Sequence, residues 1–262
     1  MKLPKKEFLK SCQEPLEMEV LLEQAEEVFR TWQPRWSSFI SAPLREEAMK
    51  LLTPLNDLHW KSDGGYPGAE RRRLQCIRYE DGIPISDEPA PIKGVDIAGN
   101  FLFDRASPKD FRQSLEVIGV PPREIGDIWI LGDRGAQALC TPKAATILNG
   151  SISRVREVQI RCEVIHTKEL QLPVQRVSKR LMTVEASTRL DAIASAGFGL
   201  SRAKIVNQIR EGRLRLNWQP VNQACRELAV GDRLQLEQRG AIEVMSLELT
   251  KRQRWKVELL RY

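Results

Sequence analysis

RLDAIASAGFGLSRAKIVNQIREGRLRLNWQPVNQACRELAVGDRLQLEQRG, residues 189–240, is the stretch that decides the fold. It reads as two short helices followed by strands. Leu190, Ile193 and Ala194 share one helical face, and Ser187 or Thr188 is placed to cap its start. Ser201 is a second N-cap candidate. Behind it Ile205, Val206 and Ile209 form an apolar stripe, and Gly212 is placed to end the helix. From Arg213 to Asn217 the pattern changes to alternation: Leu214 and Leu216 point one way, Arg213, Arg215 and Asn217 the other.

The cations of this stretch stand in unusual places. Arg189 and Arg202 are expected in the first position of their helices and Lys204 in the third position of the second. A helix N-terminus carries partial positive charge, so cations there are unfavourable unless an anion joins them. The free N–H groups at the same ends are themselves anion sites. Between Arg176 and Arg215 nine basic residues face three acids, an excess of +6 that equals the formal charge of the whole chain. The rest of the sequence is therefore balanced, and the basic face is localised rather than spread.

The order RLD, SR ten residues after the Asp, IxxGRLRLN and GDRLQLE with a closing Gly resembles the S4 RNA-binding domain over about fifty residues. That resemblance implies that Arg189, Ser201, Arg202, Lys204 and the strand bearing Arg213, Arg215 and Asn217 face structured RNA. One departure is Asn217-Trp218, where Asn-Gly is usual. Trp218 is open to two fates, stacking on a base or packing beneath the hairpin.

The totals bound the other readings. At 262 residues the chain has room for two domains with a helical unit in front. A pI near 9.1 favours acidic partners, of which nucleic acid is the commonest. No run of eighteen apolar residues occurs, so no transmembrane helix is expected, and the basic start lacks the apolar core of a secretory signal. Five widely spaced cysteines without a CxxC fit reduced thiols and a cytoplasmic protein. With only two histidines, His59 and His166, neither a zinc cluster nor a His-dependent nucleophile is expected. No cofactor or metal is called for.

Along the chain, residues 17–32 and 43–52 read as amphipathic helices, the second opened by Pro43. A Gly-rich turn at Gly64, Gly65 and Gly68 precedes Arg71, Arg72 and Arg73. It reads either as a surface loop entering the strand Leu74–Tyr79 or as a phosphate-backbone contact through Arg71 and Arg72. From Ile92 to Ile165 the elements run β-α-β-β-α-β, with Ser107-Pro108-Lys109-Asp110 opening the first helix and Val155–Ile165 as the final strand. That is a ferredoxin-like (RRM-like) order without the aromatic pattern of an RRM reading face. The fold class is thus α+β. Its expected parts are an N-terminal helical segment (1–62), a ferredoxin-like domain (63–170), a linker (171–180), an S4 domain (181–248) and a basic tail (249–262). The end, TKRQRWKVELLRY, reads either as a further RNA contact or as a terminal strand on the S4 sheet.

GGYPGAERRRL and DFRQSLEVIGVPPREIGDI resemble the AER and GDI motifs of YlmH-type proteins, with Arg112-Gln113 where Leu-Gly is commoner. With the S4 match, the likeness runs from about Asp63 to Gly240. The layout is similar to the cyanobacterial and plastid branch called photosystem II S4 domain protein, which would make a plastid member stromal. What the resemblance implies is a non-catalytic, monomeric protein that engages ribosomal RNA or tRNA, with the large ribosomal subunit as partner. The alternative is an RNA-modifying enzyme, pseudouridine synthase-like, with RLD holding its catalytic Asp191. Only about seventy residues follow that Asp, too few for a synthase domain.

Overall fold

The computed structural model describes residues 5–10, 12, 14–53, 57–78, 88–173, 178–236 and 239–262. The chain divides into two compact units, Met1–Pro173 and Val174–Tyr262.

The first unit begins with helices α1 (Lys5–Leu9), α2 (Pro15–Thr31) and α3 (Ala42–Leu52) against a small antiparallel sheet. In α2 the apolar residues recur at helical spacing, so Met18, Leu21, Leu22, Ala25 and Val28 are buried together. The helix ends at Trp32, which turns left-handed at φ 62°, two residues before Pro34. Ser41 caps α3 by accepting the N–H of Leu44. The sheet, in the order β1-β3-β2, consists of β1 (Arg35–Trp36), β2 (Leu58–Asp63) and β3 (Arg73–Arg78). Leu58, Leu74 and Cys76 close the helical core from below. A boundary at residue 62 therefore cuts through a hairpin. The Gly-rich turn joins β2 to β3 and belongs to the N-terminal layer. Tyr79, expected at the end of that strand, lies outside the described residues.

A five-stranded antiparallel sheet follows, built from β4 (Lys93–Ala98), β5 (Ile125–Ile130), β6 (Gly135–Cys140), β7 (Ile152–Val155) and β8 (Val158–Ile165) in the order β5-β6-β4-β8-β7. Helix α4 (Pro108–Val117) starts on a reciprocal capping box between Ser107 and Asp110. Helix α5 (Pro142–Leu148) is capped by Thr141. Phe111, Leu115, Ala144 and Leu148 from the helices meet Val95, Ile97, Ala138 and Ile160 from the sheet in one core. The final strand is two strands rather than one. Arg156, at φ 54°, turns the chain between Val155 and Val158, and its guanidinium pairs with Asp104 at 2.8 Å. The alternation read for Val158, Ile160, Cys162 and Val164 holds in β8, where Ile160 and Cys162 are fully buried.

The second unit is a six-stranded antiparallel sheet under two helices. Its strands are β9 (Lys179–Glu185), β10 (Leu214–Leu216), β11 (Gln219–Pro220), β12 (Arg233–Leu236), β13 (Gly240–Leu249) and β14 (Trp255–Arg261), in the order β11-β10-β12-β13-β14-β9. The closing segment, set apart in sequence as a basic tail, thus supplies an internal strand of this sheet. Helices α6 (Leu190–Phe198) and α7 (Arg202–Arg210) bury Leu190, Ile193, Phe198, Ile205 and Ile209 against Leu214, Leu234, Ile242 and Leu259. Gly197 permits that approach, because a Cβ there would sit 2.5 Å from the Ile242 side chain. Gly199 then ends α6 in the left-handed conformation at φ 66°.

Candidate nucleic-acid interface

Helix α7 presents open cationic ground. Ser201 caps it as its spacing suggests, accepting the Lys204 N–H at 3.3 Å. Arg202 is then the first helical residue and Lys204 the third. No acid stands in the first turn. Ser201, Arg202 and Lys204 are all exposed. Among the described residues Arg202 reaches one acid, Glu185, at 3.7 Å. Lys204 makes no ion pair among the described residues. Two exposed cations, one of them paired only at 3.7 Å, at a helix end that itself carries partial positive charge and has no acid in its first turn, suit an anion.

Strand β10 follows within a turn of α7. Leu214 and Leu216 face the core and Arg215 faces out, as the alternation requires. Arg215 has no acidic partner among the described residues. Arg213, just before the strand, lies 3.4 Å from Glu211, and both are about half exposed, so the pair is weak.

Two predicted contacts also serve the fold. Arg189 is the N-cap residue of α6 rather than its first helical residue, and neither Ser187 nor Thr188 caps that helix. The Arg189 guanidinium grips the Asp191 carboxylate through two bonds of 3.1 Å each, which leaves one edge to solvent. Asp191 also accepts the Ala192 N–H and is 7% exposed, so it works as a local brace. Asn217 opens a two-residue turn between β10 and β11, at φ 47°, with Trp218 next at φ 72°. Positive φ at both positions is the hairpin geometry for which Asn-Gly is favoured. The Asn217 amide donates to Asp232 at 2.7 Å and its oxygen accepts the Arg233 N–H at 2.9 Å. Trp218 occupies a position that disfavours a side chain, and the Arg233 guanidinium covers its ring at 4.1 Å from the centroid. Of the two fates open to Trp218, it packs by the hairpin.

The Arg cluster after the Gly-rich turn is also inward. Arg71 donates to the carbonyls of Ile125 at 3.0 Å and Phe39 at 3.1 Å. Arg72 donates to Ala69 O at 2.9 Å. Arg73 donates to Ser37 O and Pro91 O, both at 2.6 Å. Burial lowers the pKa of Arg71 and of Arg73. Arg71, expected with Arg72 to meet a phosphate backbone, thus spends its guanidinium on backbone carbonyls, while Arg72 is held through Nε alone and stays partly exposed. The sequence shows three consecutive cations, but a guanidinium with five donors is equally suited to stitching backbone carbonyls together.

What these arginines join is a feature that residue-by-residue reading missed. The Asp127 carboxylate on β5 accepts the Glu70 N–H at 2.8 Å, the Arg71 N–H at 2.9 Å and the Tyr66 hydroxyl at 2.8 Å. Burial, then the Asp127 charge, raises the Tyr66 pKa. Arg112 on α4 donates to the carbonyls of Ile125 at 3.2 Å and Gly126 at 2.7 Å. Burial, followed by repulsion from Arg71, pushes its pKa down to about 10. Gly126 has no room for a Cβ, which would stand 2.7 Å from Phe39 Cε1. The AER stretch (69–71) and the GDI stretch (126–128) thus meet as a joint between the small N-terminal sheet and the five-stranded sheet. Phe39, Leu139 and Leu170 are buried beside it. The signal was present as two short motifs separated by fifty-odd residues, but nothing in the sequence alone pairs them.

Among the described residues no helix is long and apolar enough to cross a membrane.

Comparison with known proteins matches two regions. Residues 14–80 match the family profile "YlmH, N-terminal", and residues 188–234 match "S4 domain". Among curated proteins the chain is similar to the "Ribosome-associated protein quality control protein P2" of Bacillus subtilis (strain 168), at 24% identity over 216 residues, 82% of each chain. Among solved structures it resembles "Cell division protein ylmH from Streptococcus pneumoniae", with a TM-score of 0.48 and 16% identity, covering 61% of this chain and 94% of that one. The S4 match spans both helices and the strands that carry Arg202, Lys204 and Arg215, and the YlmH match spans the helices and hairpin that end at the Asp127 joint. The chain thus carries an N-terminal region similar to that of YlmH and, in its C-terminal unit, a region that matches the S4 domain.

Proposed function

We propose that this protein binds structured RNA, ribosomal RNA or tRNA, through the C-terminal unit and acts in association with the large ribosomal subunit. The single observation that carries this reading is the exposed first turn of α7, where Arg202 and Lys204 stand with no acid in that turn, followed by the exposed Arg215 on β10. Arg213 and the outer edge of Arg189 flank it. It lies within the region that matches the S4 domain. The relative whose name describes it as ribosome-associated supports the choice of partner.

In this reading the first unit is a positioning body rather than a catalyst. The β-α-β-β-α-β path from β4 to β8 and the sheet order β5-β6-β4-β8, with β7 added at one edge, support a ferredoxin-like arrangement. Asp191, the residue a pseudouridine synthase reading would need, is tied to Arg189 and to its own helix start. That geometry favours the brace over the nucleophile.

The test is equilibrium binding of the full chain to purified large-subunit ribosomal RNA across a salt series. Replacing Arg202 and Lys204 together by Ala removes two phosphate contacts. The slope of log K against log salt should flatten by about 1.4 to 1.8, at ~0.7–0.9 per contact. An unchanged slope and affinity would remove these residues from the interface.

A further inference from the structure

The cationic surface of the second unit continues past the region that matches the S4 domain. Strands β13 and β14 are joined by the turn 250–254, and the run Thr250-Lys251-Arg252-Gln253-Arg254-Trp255-Lys256 holds four cations and no acid. The turn is well tied. Thr250 N–H donates to Arg254 O at 2.7 Å, Gln253 N–H donates to Thr250 O at 2.9 Å, and the Thr250 hydroxyl accepts the Arg254 N–H at 3.1 Å. Lys256 is 3.5 Å from Glu248. Lys251, Arg252 and Arg254 are exposed and make no ion pair among the described residues.

Strand register places the base of this tip beside the end of β9. Trp255 lies opposite Glu185 on β9, and Lys256 opposite Val184. Glu185 is the acid that Arg202 approaches at 3.7 Å, and its other oxygen holds the Thr183 hydroxyl at 2.7 Å. Val184, 53% exposed, lines a groove of about 600 Å³ with Thr250, Lys251, Arg252 and Arg254. Arg202, Glu185 and Trp255 therefore adjoin on the helix-bearing side of the sheet, and the hairpin tip follows directly from Trp255, with Val184 on the opposite face.

Three unpaired cations held in one ordered turn repel one another, and a polyanion relieves that repulsion. Val184 and Met182, at 53% and 66% exposure, give the sheet face that carries the groove an apolar strip of the kind that takes a sugar or base face. We propose that RNA seated on α7 and β10 continues onto the β13–β14 tip, where Lys251, Arg252 and Arg254 receive its phosphates. This rests on the RNA-binding reading above and extends the same surface.

The experiment compares the full-length wild type with two variants, Lys251→Ala/Arg252→Ala/Arg254→Ala and Arg202→Ala/Lys204→Ala. Each is titrated with purified large-subunit ribosomal RNA over a salt series and, separately, with phosphatidylglycerol vesicles. A Gln version of the triple variant keeps the side-chain length, and circular dichroism confirms that both triples fold. The expected result is a salt slope flattened by about 2.1 to 2.7 for either triple, with binding weakened on the order of tenfold or more at 0.1 M salt. The double variant should show its own, smaller loss. A triple variant that binds RNA like wild type while the double variant is weakened overturns this inference and leaves the RNA-binding reading standing. Wild-type slopes in both variants overturn both. A triple that flattens the slope beside an unaffected double overturns the continuous surface. Loss of vesicle binding with RNA binding intact assigns the tip to an anionic membrane and overturns the inference.

Discussion

Replacing Asp127 by Ala should unfold the joint of the first unit while leaving RNA binding alone. The carboxylate accepts three hydrogen bonds, from the Tyr66 hydroxyl and the Glu70 and Arg71 N–H groups, all between 2.8 and 2.9 Å. Hydrogen bonds to a charged group contribute roughly 1.5–3 kcal/mol each when both partners are withdrawn from water. The Glu70 contact is exposed and counts for less; the other two are partly buried. Removing the carboxylate also strips Arg71 of the charge that offsets its burial. The sum is about 3–5 kcal/mol for Asp127→Ala. Asp127→Asn keeps one acceptor oxygen but turns an amide donor toward donors, for a loss of about 2 kcal/mol. The assay is urea unfolding of the full chain, with hydrogen exchange read at the Glu70 and Arg71 amides. The transition of the first unit should move to lower urea in the order Asn, then Ala, and both amides should lose protection. A shift below about 0.5 kcal/mol, the range of ordinary surface substitutions, would refute the joint. So would a change in RNA salt slope matching that of Arg202→Ala/Lys204→Ala.

Two further predictions follow from how side chains are spent. Asn217→Ala removes a residue suited to positive φ together with its bonds to Asp232 and Arg233. It should lower the stability of the second unit by about 2 kcal/mol while the RNA salt slope stays at the wild-type value; a flattened slope would return Asn217 to the interface. Burial pushes the thiol pKa up to about 12 at both Cys76 and Cys140, above the ordinary thiol range. These neutral thiols add stability that is complete below the ordinary thiol pKa and is lost as the pH climbs toward about 12. At pH 8 iodoacetamide followed by mass spectrometry should find the exposed Cys225 modified and Cys76 and Cys140 untouched until the chain unfolds. Fast labelling of Cys76 in the native protein would contradict the packing of the N-terminal core.

How far the sequence was legible varied with the range of the interaction. Local signals were read well. The Ser201 cap, the α7 stripe of Ile205 and Ile209 and the Ser107–Asp110 start of α4 each depend on residues three or four apart, and each stands where the spacing puts it. The alternation of β8 was equally plain, but the turn at Arg156-Glu157 was not. No Gly, Pro or Asn marks it, and its positive φ at Arg156 is held by an ion pair with Asp104, fifty-two positions earlier. The basic residues divide on the same principle. Arg202, Lys204 and Arg215 are open because the helix end and strand face that carry them point away from the core. Arg71 and Arg72 read as an equally basic patch, yet Arg71 is drawn inward by carbonyls of Phe39 and Ile125 that only the folded chain brings near. Likewise, Asn217 looked outward by alternation, but the strand had already ended at Leu216 and the turn claimed its side chain.

The most direct measurement is gradient sedimentation of a gentle, low-salt lysate from cells producing the tagged full chain, with and without ribonuclease. The account predicts migration with the large ribosomal subunit, released by ribonuclease or high salt and lost in the Arg202→Ala/Lys204→Ala variant. Migration as a free species, or with membranes, unaffected by ribonuclease and by that double substitution, would contradict it.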